Sequence, residues 1–226
     1  MKNVRHNLLK EACIKFGAGV FLVAVLLFVP AGTIQYPGGL LLMAILFVPM
    51  FFAGLIMWQK APALLESRLR AKEREKTQKQ VIGWSALMFL AGFVLAGLDF
   101  RCGWTRVPGW LAIAAAILFL VGYLLFAEVL RENAYLSRTI EVQTGQKVVD
   151  TGLYGIIRHP MYSATLLMFL AMPLVLGSWI SFVIFLIYPV LIYQRILNEE
   201  AVLSRELQGY PEYCKKVTYR LLPYIW

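Results

Sequence analysis

The chain has 226 residues, 60% of them hydrophobic, with a mean hydropathy of +0.67 and a formal net charge of +9. That is not a soluble globular composition. The three cysteines, Cys13, Cys102 and Cys214, are scattered, which argues against a zinc site or a disulfide framework. A basic balance also suits nucleic-acid binding, but membrane topology explains it with less, and no nucleic-acid partner is expected.

Six apolar runs stand out, at about 14–30, 38–58, 81–98, 108–130, 161–176 and 179–193. A spanning helix needs roughly 20 apolar residues, and the first four runs read as spans. The first lacks a small-residue cleavage signature and reads as a retained span. The last two are about 24 Å long each at 1.5 Å per residue. Only Gly177 and Ser178 separate them, so they read as one tight helical hairpin crossing in and back out. The expected fold is all-α: a polytopic transmembrane bundle of four spans plus a C-terminal hairpin, followed by cytosolic helices.

Between the first two spans, Tyr36-Pro37-Gly38-Gly39 reads as a turn. The segment 61–80 is polar and mixed in charge. Its Glu66–Arg70 and Glu75–Lys79 pairs have i,i+4 spacing, and it reads as a solvated cytosolic helix. This divides the chain into an N-terminal two-span region with a basic loop, 1–80, and a core, 81–226. Asp99 and Glu128, at the ends of the third and fourth spans, read as interfacial charges.

Lysines and arginines cluster before the first span, between spans two and three, between four and five, and after the last. Only Arg101 and Arg106 fall on the other side. The positive-inside rule then places both termini in the cytosol. Six crossings agree in parity.

The segment 131–159 carries β-branched residues and glycines and reads as a looped or extended excursion. It ends in Gly152-Leu-Tyr154-Gly-Ile-Ile-Arg158-His159-Pro160-Met-Tyr162. Pro is favoured at the first position of a helix, and the 16 residues after it carry no charge. Arg158 and His159 therefore stand at a helix mouth, beside unpaired N–H groups and the positive end of its dipole. That is an anion site. Interfacial anchoring by Arg and Tyr is the competing reading.

After the hairpin, 195–208 reads as a cytosolic helix, ended by Gly209-Tyr210-Pro211, with an amphipathic tail to Trp226. Arg195 and Glu199 are four apart, which suits a surface pair. Ile196, Glu200, Leu203 and Leu207 share one stripe, so Glu200 points with apolar residues and must find a partner. Arg220 sits in an aromatic tail and, taken alone, reads as an interfacial anchor.

These residues together resemble the isoprenylcysteine carboxyl methyltransferase and phospholipid methyltransferase superfamily of integral membrane enzymes. The resemblance rests on Gly152-x-Tyr154-x-x-x-Arg158-His159-Pro160-x-Tyr162, the apolar hairpin, Glu199-Glu200, and the terminal Tyr213…Arg220-x-x-Pro223, and covers roughly 108–226. Family members often carry Phe-Gly after the Glu-Glu helix, where this chain has Leu207-Gln208-Gly209.

The resemblance implies S-adenosyl-L-methionine as methyl donor, bound at the cytosolic face by Tyr154, Arg158, His159, Tyr162, Glu199 and Glu200. It implies catalytic roles for Arg220, orienting an anionic nucleophile, and for Glu200, orienting Arg220 or the cofactor. No metal is expected. The acceptor is expected to be a lipid-like or amphipathic molecule reached from the surrounding lipid, a carboxylate before an amine headgroup, with no obligate protein partner. Arg-His-Pro and Glu-Glu elements also recur in membrane sterol reductases, so a reductase using a nicotinamide cofactor is the first rival reading. A non-catalytic membrane scaffold is the second.

Overall fold

The computed structural model describes residues 2–70, 76–133, 135–136 and 142–226, without the side chains of 2–6, 70, 76 and 77. The expected Glu66–Arg70 and Glu75–Lys79 pairs, and the middle of the 131–159 excursion, fall wholly or partly outside these residues.

Hydrocarbon offers backbone N–H and C=O groups no water, so a chain this apolar satisfies them within helices. The described residues are helical throughout, with loops and no strand. Helix α1 (Lys2–Ala31) and α2 (Pro37–Lys60) form an antiparallel pair, followed by the short α3 (Pro62–Arg70). Next come α4 (Lys76–Cys102) and α5 (Gly109–Glu132), then a 3-10 turn at Gly152–Gly155. The C-terminal part holds α6 (Pro160–Val175), α7 (Trp179–Phe185), α8 (Tyr188–Glu206) and α9 (Tyr210–Lys216).

Five helical stretches are long and apolar enough to cross a membrane: Asn7–Ala31, Pro37–Lys60, Gln78–Cys102, Gly109–Glu132 and Trp179–Glu206. The apolar α6 is shorter, with 16 residues. Large side chains such as Phe21, Val29, Trp110 and Leu124 face outward. In water such a surface would drive association; against lipid tails it costs little. The chain is an integral membrane protein.

The core lies where α5 and α6 pack along each other. Gly122 lets them close: a Cβ there would come within 3.0 Å of the Ala164 carbonyl. Phe119, Met168, Met172, Phe185 and Ile196 fill the centre. Phe89, Phe169 and Phe185 meet edge to face, at 4.9 and 5.3 Å between ring centres. Leu27 and Leu42 join the same core, so both halves of the chain share it.

Three sequence expectations change. The turn at Tyr36-Pro37-Gly38-Gly39 is shorter, because Pro37 already starts α2. Tyr36 is buried, stacked on Phe100, and donates to the Leu176 carbonyl at 2.5 Å. Asp99 is not an interfacial charge but 1% exposed. It accepts from Thr105 N (2.6 Å), Thr105 Oγ1 (2.5 Å) and Ser178 Oγ (2.5 Å). A carboxylate is tolerated there because every neighbour donates to it. It pins the α4–α5 loop to the α6–α7 turn, where Ser178 caps α7.

The third change concerns 195–208, which is not a separate cytosolic helix. Arg195 to Glu206 continue α8 directly from the last apolar run. The break in that crossing lies earlier, at Leu186 and Ile187, before Pro189, whose ring lacks the N–H the helix ladder needs.

Candidate functional site

The site forms at the end of the bundle opposite Asp99, where α6 begins and α8 ends. Pro160 occupies the first turn of α6 with His159 as N-cap. The chain leading into it is clamped from both sides. Glu132, the last residue of α5, accepts from Thr151 Oγ1 (2.9 Å) and Leu153 N (3.2 Å). The C-terminal tail then pairs with the junction: Arg158 N donates to the Tyr219 carbonyl and His159 N to the Arg220 carbonyl, both at 2.9 Å. Sequence positions 61 residues apart thus become neighbours through backbone bonds.

Glu200 is the hub of one ionic cluster. Its Oε1 lies 3.2 Å from Arg158 Nε and 3.2 Å from His159 Nε2. Its Oε2 accepts from Arg220 Nε at 2.9 Å. The Glu200 side chain is 12% exposed and that of Arg158 9%, so the charges are largely withdrawn from water. Such a cluster is stable only when each charge keeps its partners. The Arg220 guanidinium also stacks on the Trp226 ring, 5.2 Å from its centre.

Glu199 belongs to a second cluster. Tyr162 donates its hydroxyl to Glu199 Oε2 and accepts from Arg195 Nε at 2.8 Å. The Arg195–Glu199 surface pair expected from the sequence is therefore corrected: both residues are half-buried and line a cleft, with the Tyr162 hydroxyl between them.

That cleft opens to solvent, and the space within it, open solvent included, is about 830 Å³. Asn133, Tyr135 and Leu136 follow α5 on one side, and Gln146–Val149 form a second wall. Tyr154, Arg158, His159, Met161 and Tyr162 form the floor. Arg195, Glu199 and Leu203 of α8, with Leu207, Tyr210 and Tyr213, complete it. Five of the seven positions singled out from the sequence line the cleft: Tyr154, Arg158, His159, Tyr162 and Glu199. Glu200 and Arg220 stand behind Arg158 and His159, bonded to them rather than facing the cleft.

Sequence reading passed over Asn133, whose Nδ2 donates to the Tyr154 hydroxyl at 3.0 Å, and over Lys147, Arg195 as a cleft residue, and Tyr210. Nothing local marks Asn133. Tyr210 carried a usable signal, following Gly209, which takes a left-handed φ of 84°. Burial, above all, pushes the Tyr154 phenol to about 12, although the Asn133 amide favours its ionised form. Burial also pushes the Tyr213 phenol up. Both remain hydrogen-bond donors at neutral pH. Among the described residues no group of carboxylates, histidines and cysteines is arranged to hold a metal ion.

The donor set suits a ligand with an amino-acid head and an aromatic base. Arg158 and Lys147 match a carboxylate, Glu199 matches an ammonium or ribose hydroxyls, and Leu203, Leu207 and the tyrosines offer apolar and aromatic surface. A helical membrane bundle with a polar, mixed-charge cleft at one end is the class that fold and site define.

Comparison with known proteins narrows this. Residues 110–208 match the sequence profile of the phospholipid methyltransferase family, within the superfamily of integral membrane methyltransferases. The chain is also similar to a Delta(14)-sterol reductase of Mus musculus, 33% identical over 91 residues. That match covers 39% of this chain and 22% of the mouse protein, so the chain spans only about a fifth of that relative's length.

Proposed function

We propose that this chain is an S-adenosylmethionine-dependent methyltransferase that acts at the membrane on a lipid-like or amphipathic acceptor, preferably a carboxylate. The family match over 110–208, whose span contains the cleft's Arg158, His159, Tyr162 and Glu199, is the observation that carries this reading. S-adenosylmethionine would supply a sulfonium methyl, which an acceptor oxygen attacks in line so that the C–O bond forms as the C–S bond breaks and sulfur keeps the electron pair.

Such a displacement needs positioning more than proton transfer. Arg158, with its Nε beside Glu200, presents its remaining guanidinium face to an anionic head. Glu199, oriented by Tyr162, receives a cationic or hydroxyl group. Glu200 holds Arg158, His159 and Arg220 in one arrangement. Arg220 is the residue proposed to orient the acceptor's carboxylate as the tail adjusts. The guanidiniums of Arg158 and Arg220 around the one carboxylate of Glu200 leave an excess of positive charge, which favours a carboxylate acceptor over an amine headgroup.

A reductase using a nicotinamide cofactor is the second reading, favoured by the similarity to the mouse sterol reductase. Calorimetry separates the two. Purified protein is expected to bind S-adenosylhomocysteine and to transfer labelled methyl groups from S-adenosylmethionine into a membrane lipid extract. Binding of NADPH with no binding of S-adenosylhomocysteine would reverse the choice.

A further inference from the structure

Five tyrosines line the cleft: Tyr135, Tyr154, Tyr162, Tyr210 and Tyr213. Four have hydroxyls held by the protein. Tyr135 donates to the Gly145 carbonyl at 3.3 Å. Tyr154 accepts from Asn133. Tyr162 lies between Arg195 and Glu199. Tyr213 donates to the Tyr154 carbonyl at 2.7 Å.

Tyr210 differs. The residue is 4% exposed, and its hydroxyl is sealed from water with no hydrogen-bond partner among the described residues. A buried hydroxyl left unbonded is destabilising, and native proteins rarely keep one without a use.

The ring cannot easily swing away to find water. Gly209, at a left-handed φ, turns the chain into the cleft. Tyr210 N donates to the Leu207 carbonyl at 3.2 Å. The ring packs with Leu207, Tyr213 and Val217 and lies 5.8 Å from the Tyr213 ring.

The surroundings define what the hydroxyl would meet. Burial first, then the carboxylates of Glu200 and Glu199 and the Cys214 thiol, push its phenol far above the ordinary range, against the pull of Arg158. It therefore stays protonated and acts as a donor. The neighbouring carboxylates already have hydrogen-bond partners of their own in His159, Arg220 and Tyr162. Arg158, which lines the same cleft, supplies positive charge that draws an anion into it.

We propose that the Tyr210 hydroxyl is a ligand-binding donor, reserved for a carboxylate oxygen of the molecule seated against Arg158. This rests on the methyltransferase reading above. That carboxylate has two sources, the methionyl end of the cofactor or the acceptor itself.

The test is Tyr210→Phe, which removes only the hydroxyl. The ligand-free variant is expected to melt at the wild-type temperature or slightly above it; a drop of several degrees would mean the hydroxyl has a structural partner, and overturn the proposal. A roughly tenfold loss of S-adenosylhomocysteine affinity, with unchanged affinity for methylthioadenosine, which lacks the amino-acid end, assigns the bond to the cofactor. Unchanged S-adenosylhomocysteine affinity with about tenfold slower formation of base-labile methyl esters in a lipid extract assigns it to the acceptor. A variant equal to wild type in both measurements overturns the Tyr210 assignment while leaving the methyltransferase reading intact. If wild-type protein fails to bind S-adenosylhomocysteine, the methyltransferase reading falls first and this proposal with it.

Discussion

Glu200 contacts Arg158, His159 and Arg220 at once, so these residues do not act independently. Arg158→Ala is expected to weaken S-adenosylhomocysteine binding by about 1.5–3 kcal/mol, the value of a hydrogen bond to a charged group. Wild-type affinity in the folded variant would remove Arg158 from the cofactor site. Arg220 stands behind the cleft wall and is expected to behave differently. An interaction that forms only on the way to the transition state changes turnover more than ground-state affinity. Arg220→Ala should keep S-adenosylhomocysteine affinity within a few-fold while losing most methyl transfer. Arg220→Lys should rescue poorly, because an ammonium lacks the planar fork that binds a carboxylate and stacks on Trp226. Full activity in Arg220→Ala would return this residue to an anchoring role. At this scale the residue types of the site were legible in the sequence. Its pairings were not: an i,i+4 rule couples Arg195 to Glu199, whereas packing inserts the Tyr162 hydroxyl between them.

Among the elements, the loop from α5 to α6 decides whether the site exists. Gly152 has φ 50°, and a Cβ there would lie 2.0 Å from Glu132 Oε2. The Glu132 carboxylate cannot move aside without releasing Thr151 and Leu153. Gly152→Ala therefore combines left-handed strain of about 1–2 kcal/mol with loss of this clamp. It is expected to lower the melting temperature by several degrees and to weaken S-adenosylhomocysteine binding together. A variant that melts and binds like wild type would show that the clamp does not shape the cleft. The element's looped character was readable from its glycines and β-branched residues. The clamp was not, because Glu132 reads as one more charge at a helix end until the fold returns Thr151 and Leu153 to it.

Across the whole molecule, two polar ends are separated by the apolar bundle. Asp99, Thr105 and Ser178 lie at one and the cleft at the other. Asp99→Ala leaves two hydroxyls and a backbone N–H without their acceptor, at about 1–3 kcal/mol for each group left unsatisfied. The expected result is a clear loss of thermal stability with little change in S-adenosylhomocysteine affinity; a comparable loss of affinity would mean the two ends are coupled. The charge asymmetry predicts that reporters fused at Lys79 and Trp226 lie in the cytosol and those at Tyr36 and Arg106 on the far side. A C-terminal reporter on the far side would separate the tail from the Arg158–His159 junction and dismantle the site.

Composition and apolar run length were enough to determine an all-helical membrane protein, because hydrocarbon leaves a spanning backbone no alternative to internal hydrogen bonding. Pro160 after Arg158 and His159 likewise marked a helix mouth, since proline's ring and missing N–H act locally. Tertiary structure alone decided that Asp99 is buried and satisfied, that α8 runs unbroken from the bilayer segment to Glu206, and that the tail at Tyr219 and Arg220 pairs with the junction. It also left the Tyr210 hydroxyl without a partner among the described residues. Each of these depends on which group arrives from a distant part of the chain, and burial and hydrogen-bond satisfaction are properties of that meeting, not of any single segment.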